Sequence, residues 1–262
     1  MMGRTHALTG WCAGLALAPV VGVGTVHQAV VFAATTAGFA LLPDLDHPHA
    51  SATRLFGWLT GGLSWLLRRL SAAVYALTKG PRDEKSKGTH RHLSHTLLFA
   101  VGLGAATSAG CSAGGQWAVL GVLLFGLLLA ISALGDWLLL VYGGAVVWWL
   151  LTAPADPAAQ LADISGWLGV AVAAGCFTHC LGDSLTESGC PYLFPLPIMG
   201  ETWYEIRPPK PLRLHTGKKV ETRVVFPLFF LVGVLLVPGV WDWTMATAEH
   251  LFTPGVSQTA TR

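Results

Sequence analysis

Residues 89–104 read THRHLSHTLLFAVGLG: three histidines and an arginine with no acid, passing at Leu97 into an uninterrupted apolar run. The headgroup boundary of a bilayer demands such a switch, because hydrocarbon takes about 20 consecutive apolar residues and rejects charge. Working outward, the histidines are preceded by the charged PRDEKSKG (81–88), and apolar stretches recur along the rest of the chain. Of its 262 residues, 53% are hydrophobic and only 11% charged, with 31 glycines, against roughly a quarter charged in an ordinary globular domain. This composition implies a membrane protein. A net charge of +2 gives no footing for nucleic-acid binding.

Hydropathy predicts one all-α membrane domain over residues 1–262, a polytopic helical bundle of about seven spans: Ala7–Gly24, Gln28–Leu42, Leu93–Ala109, Trp117–Leu134, Trp137–Leu151, Ile164–Leu181 and Val224–Val240. Residues 53–78 differ, mixing Arg54, Arg68 and Arg69 with Trp58, Trp65 and leucines, as suits an interfacial amphipathic or re-entrant helix. Pro208, Pro209 and Pro211 disfavour a helix near the end of the 190–222 loop. The N-terminal MMGRTHALTGWCAGLALAP has the basic start and apolar core of a signal peptide, but it carries His6, Trp11 and Cys12 and precedes a chain just as hydrophobic. An uncleaved first helix is expected. With Arg4 placed in the cytoplasm, every Lys and Arg except Arg262 falls on that side, as the positive-inside rule requires. Loops 79–92 and 190–222 are then cytoplasmic and the 244–262 tail faces outward. Five or nine spans would preserve the same sidedness.

The five cysteines lie in or beside apolar runs without a CxxC pair, and read as small buried hydrophobes. The eleven tryptophans fall mainly near expected helix ends, where an aromatic belt explains them. No P-loop, dinucleotide glycine fingerprint, GxSxG elbow or HExxH is present.

The expected topology gathers the unusual polar residues at one membrane face. His6 opens the first span, PDLDH (43–47) follows the second, His90, His92 and His95 precede the third, and HCLGDSLTESG (179–189) closes the sixth. Each block has an ordinary reading. His6 suits an interface, the acids of DLD suit a helix-end turn, and Ser94 suits a helix cap. His179 and Asp183 are four residues apart and share a helix face, where an ionisable pair at a span end is costly unless partnered or functional. Together the blocks supply the imidazoles and carboxylates that a divalent ion selects.

His6, PDLDH, HRHLSHTL, HxxxDxxTxxG and RLHTG (213–217) resemble the membrane-bound metal-dependent hydrolases of bacteria typified by YdjM, over roughly residues 2–220. That family shows HRGxTHS where this chain has His90-Arg91-His92-Leu93-Ser94-His95-Thr96, so His92 stands at a usual glycine. The resemblance, with a looser likeness to zinc-dependent phospholipase C, implies a divalent metal, most simply Zn²⁺ with Mn²⁺ or Fe²⁺ as substitutes, and a lipid phosphoester substrate.

On these grounds His6, Asp44, His95, His179 and Asp183 are expected around one or two ions, with Asp46 and His90 as further ligands, bridges or orienting groups. Asp46 is the expected base for the water, His90 the acid for the leaving group, and Arg91 the partner of a phosphate oxygen. A metal-binding transporter or channel would need polar residues at mid-membrane depth, and the expected spans hold few. A metal-stabilised protein without catalysis would use the same residues with a closed ligand shell.

Overall fold

The computed structural model describes residues 1–48, 50, 53, 57–140, 143, 144, 147 and 156–252. Helix α1 spans Gly3–Leu17. Helix α2, Val26–Phe39, begins at a Thr25 cap that accepts from Gln28 N, and leads into the 3₁₀ turn Pro43–Asp46. After α3 (Trp58–Thr78) and a second 3₁₀ turn at Leu93–His95 come α4 (Leu97–Leu134) and α5 (Pro157–Ser184). A π turn at Glu221–Val225 opens α6 (Phe226–Leu235), followed by α7 (Val240–Phe252).

Helix α4 is 38 residues long, but Gly115 breaks it with φ 58° and ψ −149°, a conformation that only glycine adopts without strain. Leu103 and Val122 lie on either side of that break and line one apolar cavity of about 310 Å³ with Thr107, Gly110 and Cys111. In a straight helix they would be about 28 Å apart. The chain therefore doubles back at Gly115, between the two spans expected at Leu93–Ala109 and Trp117–Leu134.

Two buried clusters mark the ends of the bundle. One joins Ala7, Phe39, Leu45, Ala100, Leu129 and Cys176; the other joins Ala18, Phe32, Cys111, Val119 and Leu168. Successive limbs thus run in alternating directions, and the polar blocks all meet at the first cluster's end. Close approach makes this tight: a methyl on Gly14 would lie 2.4 Å from Ala33 Cα, so the small-residue face of α1 lets α2 pack against it.

Among the described residues three stretches are long and apolar enough to cross a membrane, Val26–Asp46, Leu97–Leu134 and Ala158–Ser184, and a fourth exists if the pair Glu221–Leu235 and Val240–Thr247 is taken as one span bent by 91°. Two expected spans are altered. Helix α1, at 15 residues, is shorter than the roughly 17 a span needs. Val224–Val240 is not continuous, because Pro238 cannot continue the hydrogen-bond ladder and Gly239 turns at φ 84°. The expected span at 137–151 falls largely outside the described residues, as does most of the 244–262 tail. All five cysteines are free and buried, as expected. Trp58, Trp65, Trp117, Trp137, Trp241 and Trp243 are exposed, but Trp167 and Trp203 are buried core residues and no part of a belt.

Candidate metal centre

Four chain segments converge here. Helix α1 brings His6, the turn after α2 brings Asp44 and Asp46, the turn before α4 brings His90–His95, and the last turn of α5 brings His179 and Asp183. The α4 cap is Thr96, which accepts from Phe99 N at 3.0 Å. Ser94, read from the sequence as that cap, is released for other use.

The outer layer is organised by Asp46, which is fully buried. Its Oδ1 lies 2.5 Å from His90 Nδ1. Its Oδ2 accepts from Arg91 N at 2.9 Å and from Ser94 Oγ at 2.7 Å. These bonds hold Arg91 at φ 55°, a left-handed conformation unfavourable for a side chain other than glycine, asparagine or aspartate. Asp46 therefore has its lone pairs engaged in orienting other groups. The expectation of an open base at this position is revised on that account, while His90, about one-third exposed, sits at the rim.

The inner layer is built on two imidazoles. His179 Nδ1 lies 2.7 Å from the Ala40 carbonyl oxygen, so it carries the proton and leaves Nε2 bare. His95 Nδ1 lies 3.0 Å from Ser94 Oγ, whose own proton goes to Asp46. The two Nε2 atoms face each other at 3.2 Å. Asp183 Oδ2 is 3.6 Å from His95 Nε2 and 3.7 Å from His179 Nε2, and Asp44 Oδ1 is 3.7 Å from His179 Nε2. A tetrahedral ion with bonds of 2.0–2.1 Å separates its ligand atoms by roughly 3.3 Å, so these spacings fit a divalent ion's donor set. Outward Nδ1–H bonds and inward Nε2 atoms are how ligating histidines are oriented.

Among the described residues two sets of donors lie close enough to hold an ion: His95, His179 and Asp183; and His6, Asp44 and His179. They share one available nitrogen, His179 Nε2, and so describe a single centre. His6 stacks on His179 with centroids 3.8 Å apart and planes at 19°, and its Nε2 lies 3.2 Å from Asp183 Oδ1. Rings so nearly parallel do not aim both lone pairs at one point, and in this arrangement His6 holds Asp183. The Met1 amino nitrogen is 2.5 Å from the same oxygen. Arg91 Nη2 lies 3.0 Å from Asp183 Oδ2, but off the hydrogen-bond direction. His6 Nδ1, Arg91 Nη1 and Asp183 Oδ2 are all buried without a hydrogen-bond partner. Orphaned donors and acceptors around one point are what a site shaped for an ion and an anionic ligand presents.

Burial would depress the His95 imidazolium, but the Asp46 and Asp183 carboxylates beside it raise its pKa to about 10. In the metal-free protein a proton thus serves where an ion's charge would. His92 points elsewhere: it packs on Tyr75 and Trp203, and its pKa is lowered chiefly by burial. Burial likewise raises the pKa of Glu205, which pairs with Arg207 rather than joining the centre.

Sequence reasoning passed over Ser94 and the buried Glu221. Glu221 accepts from Met2 N and Gly217 N, both at 2.7 Å, tying the RLHTG segment to the start of α1. His215 of that segment is exposed and pairs with Glu187 at 3.1 Å. A lone acid after a basic loop carries no distinctive signal, whereas Ser94 carried a misleading one.

An all-helical bundle with apolar spans and a buried His/Asp centre at one end defines a membrane protein with potential to bind metal. The chain belongs to the YdjM inner membrane protein family, which matches residues 1–149; His179 and Asp183 lie beyond the matched region. Comparison with curated proteins and with solved structures gives no match.

Proposed function

We propose that this protein is a membrane-embedded, metal-dependent hydrolase acting from the cytoplasmic face on a lipid phosphoester. The observation carrying this reading is the pair of inward Nε2 atoms 3.2 Å apart, each with its Nδ1 engaged, beside the partly unsatisfied Asp183. His95, His179 and Asp183 would hold the ion, with Asp44 and His6 completing or supporting the set. Zn²⁺ is the simplest occupant of such a mixed site, with Mn²⁺ or Fe²⁺ as substitutes. Such an ion, when bound, supplies the Lewis acidity that makes water a nucleophile near neutral pH.

The chain's own groups do the rest. Asp46 fixes the proton on His90 Nδ1, which leaves Nε2 to take a proton from water and return it to the leaving group. Arg91 Nη1, buried and unpaired, meets a phosphate oxygen. A membrane address at the site supports a lipid as substrate. A bundle with its polar end in the cytoplasm is the matching topology.

Elemental analysis of detergent-purified protein tests the metal. One divalent ion per chain, lost in H179A/D183A without loss of membrane insertion, is expected; folded, metal-free protein with full activity ends the reading. Burial of His6, His95, His179 and Asp183 favours a second reading, a metal that only stabilises the fold. An exchangeable water on the Co²⁺-substituted protein distinguishes them, since a stabilising site is closed.

A further inference from the structure

Helix α3 carries an inverted pattern. Its protein-facing stripe is largely polar, with Thr60, Ser64, Ser71 and Tyr75 buried alongside Leu67. Its large apolar side chains face out, Trp58 and Leu77 each 86% exposed. At 3.6 residues per turn, the exposed residues divide again. Leu59, Leu66, Leu70 and Leu77 form one stripe. Trp58, Trp65 and Arg69 form another about a third of a turn away, with half-buried Arg68 between that stripe and the buried one. Arg69 lies over the Trp65 ring, 5.1 Å from its centroid.

We propose that α3 lies in the plane of the membrane surface and docks on anionic phospholipid, with its leucine stripe among the acyl chains and its Trp/Arg stripe at the headgroups. Three faces with three chemistries fit three surroundings: protein, hydrocarbon and the charged boundary. Trp is favoured at that boundary, and Arg beside it meets lipid phosphate. A crossing orientation would put Arg68 and Arg69, at the middle of this 21-residue helix, at the bilayer midplane, the costliest depth for charge.

The arrangement reaches the histidine turn. Ser71 Oγ donates to Gly88 O at 2.6 Å and accepts from Leu93 N at 3.2 Å, and Tyr75 Oη donates to Glu84 O. The face opposite the lipid thus fixes both ends of the segment carrying His90 and Arg91. This inference does not depend on the hydrolase reading.

The test uses the full chain in nanodiscs of phosphatidylcholine with or without phosphatidylglycerol. Nitroxide labels are placed singly by L59C, L66C, L70C, L77C and W65C, and depth is read from the balance of oxygen and nickel-chelate accessibility. A common oxygen-accessible depth for the four leucine positions, with position 65 shallower, is expected. Depth changing steadily from 59 to 77 (a crossing helix), nickel access throughout (an aqueous face), or access to neither reagent (a protein partner) would each overturn the proposal. In the second arm, native mass spectrometry compares phosphatidylglycerol retained by wild type and R68Q/R69Q. About fivefold loss per arginine is expected, from about 1 kcal/mol per basic residue at an anionic surface. Unchanged preference would refute the headgroup contact.

Discussion

Gly175→Ala tests whether α5 is held against α2 in order to aim His179. A methyl at Gly175 would lie 2.5 Å from the Thr36 carbonyl oxygen and 2.9 Å from Ala40 N and Phe39 C, all backbone atoms with no rotamer to yield. Restoring ordinary contact moves the helices apart by about 1 Å. His179 is one turn further along the same face, so its Nδ1···O distance to Ala40, now 2.7 Å, would stretch to about 3.7 Å, beyond hydrogen-bond range. The ring then loses the bond that leaves Nε2 bare, and loss of such a supporting bond weakens metal affinity by about 10- to 100-fold. Overpacking also costs about 1–3 kcal/mol of stability. Gly166→Ala is the control, on the same helix with nothing within 4 Å of the added methyl. Competition against a chromophoric chelator, on metal-stripped protein of verified helix content, measures the effect. G175A protein that binds metal as tightly as G166A and wild type would show that the α2–α5 contact does not orient the ligand.

Further outcomes follow from the same geometry. In D46N the one amide oxygen is needed by Arg91 N and Ser94 Oγ, so the amide turns its NH₂ to His90 Nδ1 and the outward Nε2 is no longer a base. Turnover of a lipid phosphoester should fall by at least about 100-fold with part or all of the metal retained, and the His90 ¹⁵N shifts should report the tautomer change; wild-type turnover would remove His90 and Asp46 from the chemistry. Metal binding must displace the proton that His95, with a pKa of about 10, carries when metal-free. Apparent affinity should therefore fall about tenfold for each unit the pH drops below that value, and a flat profile from pH 9 to 6 would mean His95 is not a ligand. For the topology, a cysteine replacing Lys85 should react only with reagents that reach the cytoplasm. Labelling from outside intact cells would reverse the proposed orientation.

Much of this molecule was legible along the chain because the relevant physics is local or one-dimensional. Apolar runs point to membrane spans whatever the packing. The i,i+4 spacing of His179 and Asp183 puts them on one helix face as soon as a helix forms. The tight turn of PDLDH and the crowding of His90, Arg91 and His95 marked blocks that the structure brings together. What the tertiary structure decided is the role of each side chain, because roles depend on which atoms are already engaged. Asp46 looks like a free acid until His90, Arg91 N and Ser94 occupy its oxygens. Ser94 looks like a cap until Thr96 takes that position. His6 looks equivalent to His95 until stacking on His179 turns its lone pair aside. The last span behaved the same way: Pro238 with Gly239 bends it within an apolar run, whereas the reversal at Gly115 falls in the gap already expected between two spans. Hydropathy measures transfer from water and is blind to direction, whereas a metal centre is defined by direction, which only the packed helices supply.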